Sequence, residues 1–161
     1  MRDRIWLDLR NSRFYLEYLG LHIQAAKKKN KNIETWLLLS SLGSIGGWYK
    51  FAEYSILWSI LLLMITGIRI LKSRFTVSEE EIFTWQNVYN FYIDHYKELE
   101  KLWYKYEKNK MSDAQAEKIY DALNDEERIM IKINKHGKIY PKEPIASKAE
   151  GFTIQYLKQF E

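Results

Sequence analysis

WLLLSSLGSIGGWYKFAEYSILWSILLLMITGIRIL, residues 36–71, is the stretch whose reading decides the fold. Its composition predicts two short transmembrane helices, over residues 33–49 and 54–71, with Lys50 and Glu53 as the only charges between them. A bilayer core of about 30 Å takes about 17 to 25 apolar residues at 1.5 Å rise each, so each arm is only just long enough to span. The second arm is the more apolar. Its SILWSILLLMITGI core meets no charge before Arg69, which lies near one end and can snorkel its guanidinium to the headgroups. The first arm is diluted by serines and a glycine-rich end. Trp36, Trp48, Tyr49 and Tyr54 sit where interfacial aromatic belts belong. The competing reading is a buried helical hairpin in a soluble protein. The mean hydropathy of −0.43 does not decide against a membrane, because it averages one very apolar third with two charged flanks.

Both flanks of the hairpin are basic. Lys27, Lys28, Lys29 and Lys31 stand immediately before it, with Arg2, Arg4, Arg10 and Arg13 upstream, and Arg69, Lys72 and Arg74 follow it. By the positive-inside rule both termini are expected to face the cytoplasm. The first thirty residues are too polar for a cleaved signal peptide. The KKKNK run acts as a topogenic stop, or alternatively as a set of lipid headgroup contacts worth about 1 kcal/mol per Lys. Cysteine is absent, so disulfides and cysteine metal sites are excluded.

Outward from the hairpin the chain reads as helix. Ile5, Leu9, Leu16, Leu19, Ile23 and Ala26 recur at alternating three and four spacing, interrupted by Ser12, and predict an amphipathic helix over residues 3–30. The spacing continues through Asn30, Ile33, Leu37, Ser40, Ser44 and Gly47, so one long helix runs on into the first arm. There Ser40/Ser44 and Gly43/Gly47 are small-residue pairs one turn apart and form a candidate helix-packing face. In the second arm Ser55, Ser59, Thr66 and Arg69 share a weakly polar stripe and are candidate pore-lining residues. The alternative is that each Ser or Thr bonds its own i−4 carbonyl.

Past Phe75, Ser78 and Glu81 form an S-x-x-E capping box. The helix it opens carries Ile82, Trp85, Tyr89, Tyr92, Tyr96, Leu99, Trp103 and Tyr106 on one seam, widened by Phe83, Val88, Phe91, Ile93, Leu102 and Tyr104. That width exceeds a two-stranded seam and predicts a bundle with the N-terminal helix. Ser112 and Gln115 cap a further helix bearing Ala116, Ile119, Tyr120 and Leu123, which Asn124-Asp125 threatens to break. Ile129, Ile131 and Ile133 alternate as in a strand, although Glu126, Glu127 and Arg128 favour helix, and helix is the expectation. A last helix over residues 147–160 is expected to dock through Ala149, Phe152, Tyr156 and Phe160. The fold class predicted is thus an all-α membrane protein. Residues 1–32 form an amphipathic cytoplasmic helix, 33–75 a transmembrane hairpin, and 76–161 a C-terminal cytoplasmic helical region that completes the bundle.

No pattern for catalysis stands out. His22, His95 and His136 lie in different segments, and no H-E-x-x-H, P-loop, G-x-G-x-x-G or G-x-S-x-G motif occurs. Asp94, His95 and Glu98 are close in sequence, but neighbouring positions point to different helix faces. An enzyme is not expected, nor a cofactor or metal. The net charge of +4 is modest and concentrated beside the apolar stretch, so no nucleic-acid partner is expected.

The layout, with RFYLEYLGLHIQAAKKKNKN before the first arm and YKELEKLWYKYEKNKMSDAQAEKIYDAL after the second, resembles the SLATT family of bacterial conflict systems. These are SMODS- and SLOG-associating effectors with two transmembrane helices. The resemblance spans about residues 4–123. It implies an antiphage effector that forms a homo-oligomer and permeabilises the inner membrane, triggered by a sensor protein or a nucleotide second messenger. The competing class is a membrane-anchored helical scaffold without pore activity.

Overall fold

The computed structural model describes residues 1–50, 55–108, 110–133 and 141–159, without the side chains of residues 42–50, 55, 58, 73 and 133. The described residues form helices and no strand: α1 (Arg2–Lys50), α2 (Ser55–Ile70), α3 (Lys72–Phe75), α4 (Glu79–Glu107), α5 (Asp113–Ile133) and α6 (Ile145–Leu157). The chain divides into two compact units. One comprises Met1–Ile23 and Phe83–Glu161, the other Gln24–Ile82.

The first unit holds the core. Ile5 and Leu9 of α1, Tyr96, Leu99, Leu102 and Trp103 of α4, and Ala116, Tyr120 and Leu123 of α5 form one buried cluster. Leu19, Val88 and Tyr92 form a second, with Tyr15, Leu16, Trp85, Tyr89, Phe91 and Met130 packed on it. Most of the α1 and α4 seams therefore face one another, as helical periodicity requires. Aromatic rings supply much of the contact: Trp6 and Trp103 lie 4.9 Å apart between centroids, and Tyr15 stacks on Tyr92 at 5.4 Å. The outer rim is zipped by cations, with Arg2 paired to Glu107 and lying over Trp103, and Arg13 paired to Glu17 and lying 4.0 Å from the Tyr156 ring centroid.

Local signals set the helix starts. Ser78 Oγ accepts the Glu81 N–H at 3.1 Å while Glu81 Oε2 accepts the Ser78 N–H at 3.3 Å, which closes a reciprocal capping box at the head of α4. Ser112 and Gln115 make the same exchange ahead of α5, at 3.4 and 3.1 Å. α5 continues through Asn124-Asp125 and through Ile129 and Ile131, so the alternating isoleucines are helical. In α6 the buried face is Ala149, Thr153 and Leu157, which displaces the expected Phe152 and Tyr156 register by about one residue. Phe152 is 40 % exposed, Tyr156 is half-buried, and Phe160 lies outside the described residues.

The expected transmembrane hairpin is corrected. Among the described residues no helix is long and apolar enough to cross a membrane. α2 contains 16 residues, about 24 Å at 1.5 Å rise, against a hydrocarbon core of about 30 Å. In α1 the apolar run lies between Glu34 and Lys50, fifteen residues or about 22 Å, and is diluted by serines and glycines. The all-helical part of the predicted fold class stands; the membrane-spanning part, and with it the placement in an inner membrane with both termini cytoplasmic, does not.

Candidate functional site

In the second unit most of the described side chains of α2 are apolar and exposed. Ile56, Leu57, Leu63 and Ile70 are 65 to 77 % exposed, and Ile60, Leu61, Leu62, Met64 and Ile68 are exposed beside them. On α1, Trp36 is 74 % exposed, with Leu38 and Leu39 next to it also open. Exposed apolar side chains are ordinary when scattered singly, whereas a contiguous run of this kind marks a contact surface.

Polar contacts fix the root of this arm. Asn30 occupies a position of the apolar seam, and its carboxamide clamps the backbone of Val77: Nδ2 donates to the Val77 carbonyl at 2.7 Å and Oδ1 accepts the Val77 N–H at 3.1 Å. Lys72 Nζ donates to Glu34 Oε1 at 2.8 Å. Both groups are substantially exposed, so the pair orients the arm more than it stabilises it. Arg69, Lys72, Glu34, Leu37, Leu38 and Ser41 line a groove of about 410 Å³.

The sequence-predicted residues separate here. Arg69 reaches the groove, but Ser59 and Thr66 are exposed on α2 and do not line it. Thr66 Oγ1 donates to the Leu62 carbonyl at 2.8 Å, the i−4 bond weighed as the alternative to a polar stripe. Ser40 is half-buried on α1; Gly43, Ser44 and Gly47 belong to the same helix and Ser55 opens α2, with their side chains outside the described residues, as are all of Glu53 and Tyr54. Lys27, Lys28, Lys29 and Lys31 are exposed and make no ion pair among the described residues. Sequence reading missed Asn30 and the Glu34–Lys72 pair. A polar residue on an otherwise apolar seam was the signal for the first, and nothing local signalled the second.

The first unit carries two other features. Lys105, Lys110, Met111, Gln115, Lys118 and Ile119 line an open concavity of about 470 Å³. Lys105 lies in the last turn of α4, where a cation complements the helix dipole, so the cluster has an ordinary explanation. The second feature is a buried polar group. His95, at 4 % exposure, lies with Nε2 4.0 Å from Glu127 Oε2, and Tyr92 donates to the other oxygen of Glu127 at 2.9 Å. Burial pushes His95 below its ordinary pKa and Tyr92 above its own. His22 is shifted down in the same way, by burial and by Lys142. His136 lies outside the described residues. Among the described residues no three His, Cys, Asp or Glu side chains are grouped to hold a metal ion.

No family model, no curated protein and no solved structure matches the chain. The resemblance to SLATT effectors therefore rests on layout alone.

Proposed function

We propose that this protein is a helical interaction protein that works by self-association, its apolar arm packing against the arms of further copies. The observation that carries this reading is the run of exposed apolar side chains along α2, from Ile56 to Ile70. A helix that carries exposed apolar residues on more than one face is stabilised by being enclosed, and a one-sided groove in a partner would leave part of them in water. Several identical arms can enclose one another. No charge interrupts α2 before Arg69, so its surroundings must be apolar as well, and a second arm supplies that chemistry. Arg69 and Lys72 beside Glu34 give the ends of the arms a means of setting register.

The resemblance stated above extends this reading to a role in a bacterial conflict system, in which assembly of the effector follows a signal from a sensor. The assembly needs no membrane-spanning helix. Native mass spectrometry of the full chain, with Leu57→Glu and Leu63→Glu as disrupting variants, tests the association. We expect multiples of the 19.5 kDa protomer for the wild type and protomers for the variants. A wild type that stays a protomer at micromolar concentration, or that is captured quantitatively by lipid vesicles as a protomer, overturns the reading. Induced expression tests the effector role: growth arrest by the wild type and none by Leu63→Glu is expected, and equal growth in both contradicts it.

A further inference from the structure

The first unit holds a device that the self-association reading does not use and that stands independently of it. We propose that His95 is a proton-operated latch on α5: while its ring is neutral α5 stays docked through Glu127, and proton uptake at the ring releases that helix.

The latch is built from three elements. His95 projects from α4 into a slot roofed by Phe91, which stacks on it at 5.4 Å, and walled by the edge of Tyr92 at 6.3 Å. Its Nδ1 is buried and meets no hydrogen-bond partner among the described residues. Glu127 reaches in from α5 and is held by Tyr92 Oη, while Tyr92 is itself stacked on Tyr15 of α1. Among the described residues the charged groups that act on the ring are carboxylates: Glu127 and Glu126 from α5 and Asp8 from α1, the last already engaged by the Tyr120 hydroxyl.

A neutral ring carries a single N–H, and placed on Nε2 it faces Glu127 Oε2 at 4.0 Å, while Nδ1 needs no acceptor. Protonated, it carries a second N–H. Nε2 faces Glu127 at 4.0 Å, an ion-pair approach longer than a hydrogen bond, and the Nδ1–H is left in an apolar slot without an acceptor, so the charged ring is far costlier to bury than the neutral one. Opening the α4–α5 contact hydrates it. Burial outweighs the three carboxylates, so the folded protein holds the proton less tightly than the unfolded chain, where histidine titrates near 6.5. The sign follows. The docked state has its full stability above about pH 6.5 and loses it as pH falls through the lower folded value.

Amide hydrogen exchange of the full chain, compared at pH 7.5 and 5.5 after correction for intrinsic rates, reads the latch directly. Exchange in residues 113–133 is expected to accelerate by roughly threefold or more at the lower pH in the wild type. The acceleration disappears in His95→Gln, which keeps a polar side chain that cannot titrate, and persists in His22→Gln. No acceleration in the wild type, or the same acceleration in His95→Gln, overturns the proposal. If His95→Gln does not fold, NMR titration of the wild-type ring decides: a midpoint below 6.5 that coincides with α5 opening supports the latch, and a midpoint at or above 6.5, or one unaccompanied by α5 opening, overturns it.

Discussion

Leu99 and Phe83 sit on the same helix with opposite fates, 0 % and 63 % exposed, and the difference sets what each substitution does. Leu99→Ala leaves a void among Ile5, Leu9 and Trp103 and is expected to lower unfolding free energy by about 2 to 5 kcal/mol, whereas Phe83→Ala changes it by about 0.5 kcal/mol or less. Urea unfolding followed by tryptophan fluorescence distinguishes the two. Gly20 gives a result of the opposite sign. A Cβ there would meet the Tyr89 ring at 3.5 Å, an ordinary contact, so Gly20→Ala is expected to raise stability by up to about 1 kcal/mol in the same assay. Some residues could not be read from the sequence at all. Tyr18 lies off the α1 seam yet is fully buried, with its hydroxyl accepting the Lys142 N–H across 124 residues of chain. His95 reads in the sequence as an ordinary helix position beside Asp94, whereas what gives it its surroundings is Glu127 of α5, a long-range contact that no local pattern encodes.

At the scale of elements, period was legible and length was not. The three-and-four spacing of α1 and α4 marked out most of the buried seam, and both capping boxes formed where Ser78/Glu81 and Ser112/Gln115 predict them. Ser78→Ala is expected to cost about 1 kcal/mol by loss of the cap. The α6 register escaped because aromatic size suggested burial of Phe152, while the smaller Thr153 is buried instead, its hydroxyl satisfied by the Ala149 carbonyl at 2.9 Å. Thermal unfolding checks this. Ala149→Leu overpacks a fully buried site and is expected to destabilise by about 1 to 3 kcal/mol, with Phe152→Ala far milder. The apolar arms misled for a related reason. Hydropathy reports what a segment avoids and so predicts a bilayer span here, whereas α2 comprises 16 residues.

For the whole molecule, the two units differ in chemistry. The one comprising Met1–Ile23 and Phe83–Glu161 buries its seams and rims them with ion pairs and cation–π contacts. The other exposes a run of apolar side chains on α2 that water does not favour. The charge layout of the sequence marks these regions only approximately, since the four lysines at residues 27–31 lie a few residues inside the second unit, and it does not say what covers the apolar arm. Self-association answers that question with the chain's own chemistry. The mass of the full chain in solution, measured by light scattering behind a sizing column, tests it most directly. Self-association predicts a discrete multiple of 19.5 kDa that falls to one protomer in Leu63→Glu, whereas a monodisperse 19.5 kDa wild type with the same elution as Leu63→Glu would contradict it.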